Sequence, residues 1–161
     1  MKTLKLALAI TTATFLTSSY AADYKLAVID DNDTSKAVLA GQYDQVINLG
    51  NVTELDQQAA FEKSVNQCAA HIQVGKADEA LSMCSLAIEL ISDIDVNANK
   101  RRELTAYAYG NRGIAHSLKN EYQAALADFS AAYKTKRNII TRANLKTAQS
   151  SLKQLQGQVA P

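Results

Sequence analysis

From about residue 35 onward, apolar side chains recur at spacings of three and four, with polar residues between them. That is the period of a helix with one buried face, not the two-residue alternation of a strand. Alanine and leucine are common in these stretches and the only proline is Pro161, so little interrupts helical propagation. The pattern predicts helices over 35–49 (broken near Gly41), 54–74, 77–92, 98–119, 121–136 and 138–156. The segment Asp23 to Asp33 is short, mixed and acidic at its end. Its "YKLAVID" has strand-like composition but no second strand to pair with, so an extended arm is expected.

The first residues follow a different logic. Lys2 and Lys5 accompany a mostly apolar run from Leu6 to Leu16, and Ser19-Tyr20-Ala21 places small residues at the two positions a signal peptidase reads. Residues 1–21 are therefore expected to be a signal peptide cut between Ala21 and Ala22. The apolar run is shorter than the roughly 20 residues a bilayer span needs, and Ala22 offers no thiol for a lipid. The expected product is periplasmic or secreted, not inserted in a membrane, with an arm over 22–34 and one helical domain over 35–161. Losing two lysines changes 17 basic against 16 acidic residues into 15 against 16. Such a balance gives no electrostatic footprint for nucleic acid or anionic lipid, and Lys100, Arg101 and Arg102 read as a solvated helix start.

Two of the predicted helix pairs superimpose at an offset of 45 residues: Cys68 on Gly113, His71 on His116, Gly75 on Asn120, Ala80 on Ala125, Cys84 on Phe129 and Ala87 on Ala132. Small residues recurring at matched places mean that two helices approach closely in each hairpin. An internal repeat of this kind dominates the fold reading.

Tyr109, Gly113, His116, Tyr122, Ala125, Phe129 and Ala132 form a pattern that resembles the tetratricopeptide repeat (TPR), and Cys68, His71, Ala80, Cys84 and Ala87 form a weaker copy. "AGQYDQVINL" at 40–49 resembles half of a further, degenerate repeat, and 138–156 resembles the helix that caps such arrays. Neither copy starts with tryptophan or closes with proline, and about eleven extra residues near "SDIDVNANKRREL" lengthen the family's spacing of about 34. The resemblance implies an all-α fold of antiparallel hairpins, about 61–92 and 106–136, stacked as a short right-handed array with a capping helix at about 138–156.

The resemblance also implies a non-catalytic interaction or assembly module in a bacterial cell envelope, binding an unidentified protein or peptide on a concave surface. Its lining positions would be Val65, Ala69, Ile72, Gln73, Gly110, Ile114, Ser117 and Leu118, mostly apolar and suited to a hydrophobic or amphipathic segment. Asn66 and Asn111 match part of the family's carboxylate-clamping pattern, but its basic residues are missing. The chain's own arm, or an adjacent helix, is the other candidate occupant.

Competing chemistry is sparse. No glycine elbow or recurring histidine–carboxylate pairing points to an enzyme, and two cysteines sixteen apart are not a C-x-x-C redox pair. No cofactor is implied. Cys68, His71, Cys84 and His116 form the alternative, a metal- or haem-handling set of types that suit zinc or copper. Against it, the histidines stand where the repeat carries an aromatic core residue, a place neutral imidazole can fill while bonded to a carbonyl. In an oxidising compartment Cys68 and Cys84 are expected to pair. They flank the turn at Gly75-Lys76 symmetrically. Helix axes roughly 8–10 Å apart leave about 3.5–5.5 Å between facing Cα atoms, overlapping the roughly 4.4–6.8 Å a disulfide needs.

Overall fold

In the computed structural model, the described residues 24–30, 34–50 and 55–159 contain helices and no strand. The leader expected over 1–21 lies outside them. The helices are α1 (Thr34–Leu39), α2 (Tyr43–Ile47), α3 (Gln57–Gln73), α4 (Ala77–Leu90), α5 (Ala98–Leu118), α6 (Tyr122–Thr135) and α7 (Ile139–Val159). They agree with the predicted segments to within a few residues, and the break near Gly41 divides the first of them.

The boundaries have local causes. Asp56 accepts from the Ala59 N–H at the start of α3, and Asn97 from the Lys100 N–H at the start of α5. Asn138 and Thr141 cap α7 reciprocally, each side-chain oxygen accepting from the other's N–H. At the hairpin tips, Gly41, Gly75 and Asn120 have φ of 74°, 75° and 60°. This left-handed backbone closes a helix end. The next N–H then reaches back to a carbonyl inside the preceding helix: Gln42 to Ala37, Lys76 to His71 and Glu121 to His116. Three tips thus turn in one way.

Packing arranges the helices in two layers. α1, α3, α5 and α7 lie side by side in chain order, and α2, α4 and α6 each pack on both the helix before and the helix after. One apolar cluster joins Cys68, Ala80, Cys84, Ile114, Ala125, Phe129 and Ala148 across α3 to α7. A second gathers Phe61, Val65, Ala87, Ile91, Ile94, Leu104 and Ala108 around the longer connection at 91–97. Arg101 holds that connection in place, donating to the carbonyls of Ile91, Ser92 and Ile94. The basic cluster at 100–102 is therefore more than a solvated helix start. Its middle residue caps a loop.

The matched positions of the two hairpins are filled by different chemistry. Cys68 and Cys84 are at disulfide distance, with Cα atoms 5.3 Å apart. At the equivalent place a Cβ on Gly113 would lie 2.9 Å from Cε1 of the Phe129 ring. The ring needs the space that a side chain at 113 would take. We expect Gly113→Leu to lower the thermal midpoint clearly. Overpacking costs typically about 1–3 kcal/mol, whereas the gain in helix propensity is below about 1 kcal/mol. A midpoint at or above that of the parent chain would show that the ring moves aside freely.

Candidate functional site

α3, α5 and α7 each carry one asparagine that is at most 2% exposed: Asn66, Asn111 and Asn144. A buried carboxamide needs partners for its oxygen and its NH2 alike. Here both come from the main chain of the arm. Asn144 Oδ1 accepts from the Lys25 N–H at 2.7 Å and its Nδ2 donates to the Lys25 carbonyl at 2.9 Å. Asn111 does the same with Ala27 at 2.9 and 2.7 Å, and Asn66 with Ile29 at 2.8 and 2.7 Å. Asn66 Nδ2 also donates to Thr34 Oγ1 at 2.7 Å.

The spacing follows from the arm's backbone. In an extended chain the N–H and C=O of one residue point to one edge, and alternate residues share that edge. Residues 25, 27 and 29 therefore present three identical donor–acceptor pairs. The arm runs from α7 back across α5 to α3. The Tyr24 ring stacks on Phe129 with centroids 4.8 Å apart and planes 19° apart. Leu26 packs on two of the apolar clusters and Val28 on the one formed by Val38, Val46, Ala69 and Ala70. Beneath Lys25 and Ala27 only about 10 Å³ remains empty, bordered by Ala106, Gly110 and Asn144 among others. That is about the space of a single water.

The expected lining positions divide into several groups. Ala69 and Ile72 belong to clusters that also receive the arm's Tyr24, Leu26 and Val28. Gly110 borders the small gap under the arm, where a Cβ would meet Asn144 Nδ2 at 3.9 Å. Ile114 is 1% exposed and Leu118 half-buried in the same cluster as Tyr24. Val65 belongs to the second cluster, against which the arm's Ile29 packs, Ser117 is 5% exposed and donates to the Gly113 carbonyl, and Gln73 is exposed. The surface was expected to hold its occupant by apolar contact, yet the directional contacts are made by asparagines. Asn144 went unrecognised as part of the site because 138–156 resembled a cap. Its signal was its distance of 33 residues from Asn111, close to one family repeat.

The sulfurs of Cys68 and Cys84 lie 1.95 Å apart. His116 Nδ1 is 2.6 Å from Glu121 Oε2, and Nε2 is 3.7 Å from Asp128. Asp128 takes both Nε and Nη2 of Arg112, at 2.7 and 2.8 Å, tying α5 to α6. His116 and Lys119 hold the Glu121 carboxyl below its ordinary range. Among the described residues no group of three or more His, Cys, Asp or Glu side chains is arranged to hold a metal ion. His71 is 8% exposed and its Nδ1 has no hydrogen-bond partner, so the expected carbonyl bond to that atom is not formed. Burial holds the His71 pKa below 6.5; Glu79 favours the charged ring and Lys76 opposes it, each less than burial.

No family model and no solved structure matches the chain. Tail knob protein gp9 of Bacillus phage B103 is 30% identical over 146 residues, covering 80% of this chain and 23% of that protein. The chain thus spans under a quarter of that relative's length. Among the described residues no helix is long and apolar enough to cross a membrane.

Two outcomes are expected from this geometry. Asn111→Ala leaves the Ala27 N–H and C=O without partners, which costs about 1–3 kcal/mol per buried group. Amide exchange at Ala27 should accelerate and the thermal midpoint should fall; unchanged protection would mean that the rung is redundant. For His71, the unfolded chain takes up a proton that the folded chain resists. Stability is therefore retained above about pH 6.5 and lost as pH falls through that value toward the lower folded pKa. Denaturant titrations at pH 7 and pH 5.5 should show a smaller loss in His71→Phe than in the parent. Equal losses would place the acid sensitivity elsewhere.

Proposed function

We propose that this chain is a non-catalytic protein-binding or assembly module, exported to the cell envelope, whose α3–α5–α7 face holds extended polypeptide by its main chain. The carrying observation is the set of three asparagines, each giving one hydrogen bond to the arm and accepting one from it. Contacts to backbone groups suit any extended segment of compatible side-chain size, and the chain's own arm is the resident occupant. A foreign segment would take its place. Repeated tips, the two-layer packing and asparagines at matched positions support reading the fold as a short right-handed TPR-like array. Paired cysteines and the leader-like pattern over 1–21 favour export. The likeness to a phage protein named as a tail knob component is in keeping with an assembly role, although it spans little of that protein.

The test weakens the resident arm and supplies it again from outside. Ala27→Pro removes the N–H that Asn111 accepts. A fluorescent peptide carrying residues 24–30 should bind the Ala27→Pro chain with a dissociation constant on the order of 1–100 μM. The same chain carrying Asn111→Ala in addition should bind at least about tenfold more weakly, about 1.4 kcal/mol. A folded Ala27→Pro chain that leaves the peptide free would overturn the proposed grip.

A further inference from the structure

The asparagines use only one edge of the arm. Alternation turns the N–H and C=O of Leu26 and Val28 to the opposite edge. Among the described residues nothing bonds those main-chain groups. Beside the arm lies a cleft of about 470 Å³, lined by Leu26, Val28 and Asp30 of the arm and by Ser35, Lys36 and Leu39 of α1. Leu39 is 78% exposed. A strand fixed along one edge and unpaired along the other is a template for a second strand.

We propose that this edge pairs with the same edge of a second copy, so that two arms form a two-stranded antiparallel ribbon about a twofold axis at Ala27. The register follows from the unpaired groups. Leu26 of one copy stands opposite Val28 of the other, and each such pair exchanges both N–H···O bonds in the manner of an antiparallel hydrogen-bonded pair. The twofold axis repeats the exchange, using every main-chain group that the asparagines leave unbonded at these two residues. Leu26 and Val28 share one face of the strand, so the pairing also sets leucine against valine across it. Antiparallel pairing brings Lys25 of one copy to the end of the ribbon where Asp30 of the other lies, whereas parallel pairing would align like charges. A closed twofold contact of this kind is self-limiting. The inference needs the arm to be seated but does not need the proposed grip on foreign segments.

The experiment is sedimentation equilibrium on the full chain, expressed with its own leader and purified as the cell processes it. We expect a reversible dimer with a dissociation constant on the order of 10–100 μM, since four hydrogen bonds and a small apolar contact make a modest interface. Val28→Pro removes one outer-edge N–H from each copy while keeping an extended backbone, and leaves the asparagine-facing N–H groups of Lys25, Ala27 and Ile29 in place. It should weaken dimerisation at least about tenfold, about 1.4 kcal/mol. Leu39→Lys, at an exposed position, should also weaken it. A chain that stays monomeric to about 500 μM overturns the proposal, even if the edge captures a segment of another protein. So does a dimer indifferent to both substitutions. A dimer that persists in Val28→Pro but is lost in Asn111→Ala would show exchange of arms between grooves, which also overturns edge pairing. A folded Val28→Pro chain that no longer binds itself, yet keeps slow exchange at Ala27, supports it.

Discussion

A carboxamide that is cut off from water must find one donor and one acceptor, and an extended peptide offers both from a single residue. The arrangement of the inner layer depends on this match. Without the arm, the oxygens of Asn66, Asn111 and Asn144 have no protein donor, and only water could take its place. The arm in turn has too little apolar surface to fold alone. Rungs spread over three helices also link α3, α5 and α7 to one rigid segment, so the packing order of the row and the seating of the arm reinforce each other. Small residues follow from the same demand, because Ala106 and Gly110 leave the backbone room to approach α5.

The two superimposable hairpins show how one geometric requirement admits different chemistry. Both bring positions sixteen apart into contact across the interior. In one, Cys68 and Cys84 meet through sulfur. In the other, a whole phenylalanine ring fills the space and its partner is reduced to Gly113. The ring then gives Tyr24 a surface on which to stack, so the second solution anchors the start of the arm as well as the hairpin. A sulfur bridge at that place would offer no such face. The choice of filler at a repeat position thus decides where the arm is held by aromatic stacking and where by asparagine and aliphatic contacts.

Much of the architecture was legible in the sequence because helix periodicity is a local signal. The seven helices, the break at Gly41 and the facing cysteines could each be read from spacing. The site was legible only in part. Asn66 and Asn111 occupy matched positions, but carboxylate clamping by basic residues was the chemistry sought, and asparagines lacking those residues looked incomplete. Their partners are main-chain groups, which every residue has and no residue type announces. Asn144 was harder still, since 138–156 resembled a capping helix and not the opening of another repeat. The loop role of Arg101 was hidden for a similar reason: three carbonyls brought together by the turn at 91–97 have no sequence signature.

Backbone recognition by itself would leave the arm free to slide. Shifting it by two residues keeps the bonding edge and could restore rungs, whereas shifting by one turns that edge away from the asparagines. Side chains must therefore set the register. The gap of about 10 Å³ beneath Lys25 and Ala27 cannot admit a larger residue at the central rung, which excludes the slip that would bring Ile29 to Asn111. The opposite slip would put Lys25 there and move Tyr24 off Phe129, losing a stacked pair worth about 0.5–1.5 kcal/mol beyond its burial. The seat of the arm is thus fixed by the aromatic Tyr24 and, third along from it, the small Ala27. Its hydrogen bonds use groups common to all polypeptides, and its position comes from side chains.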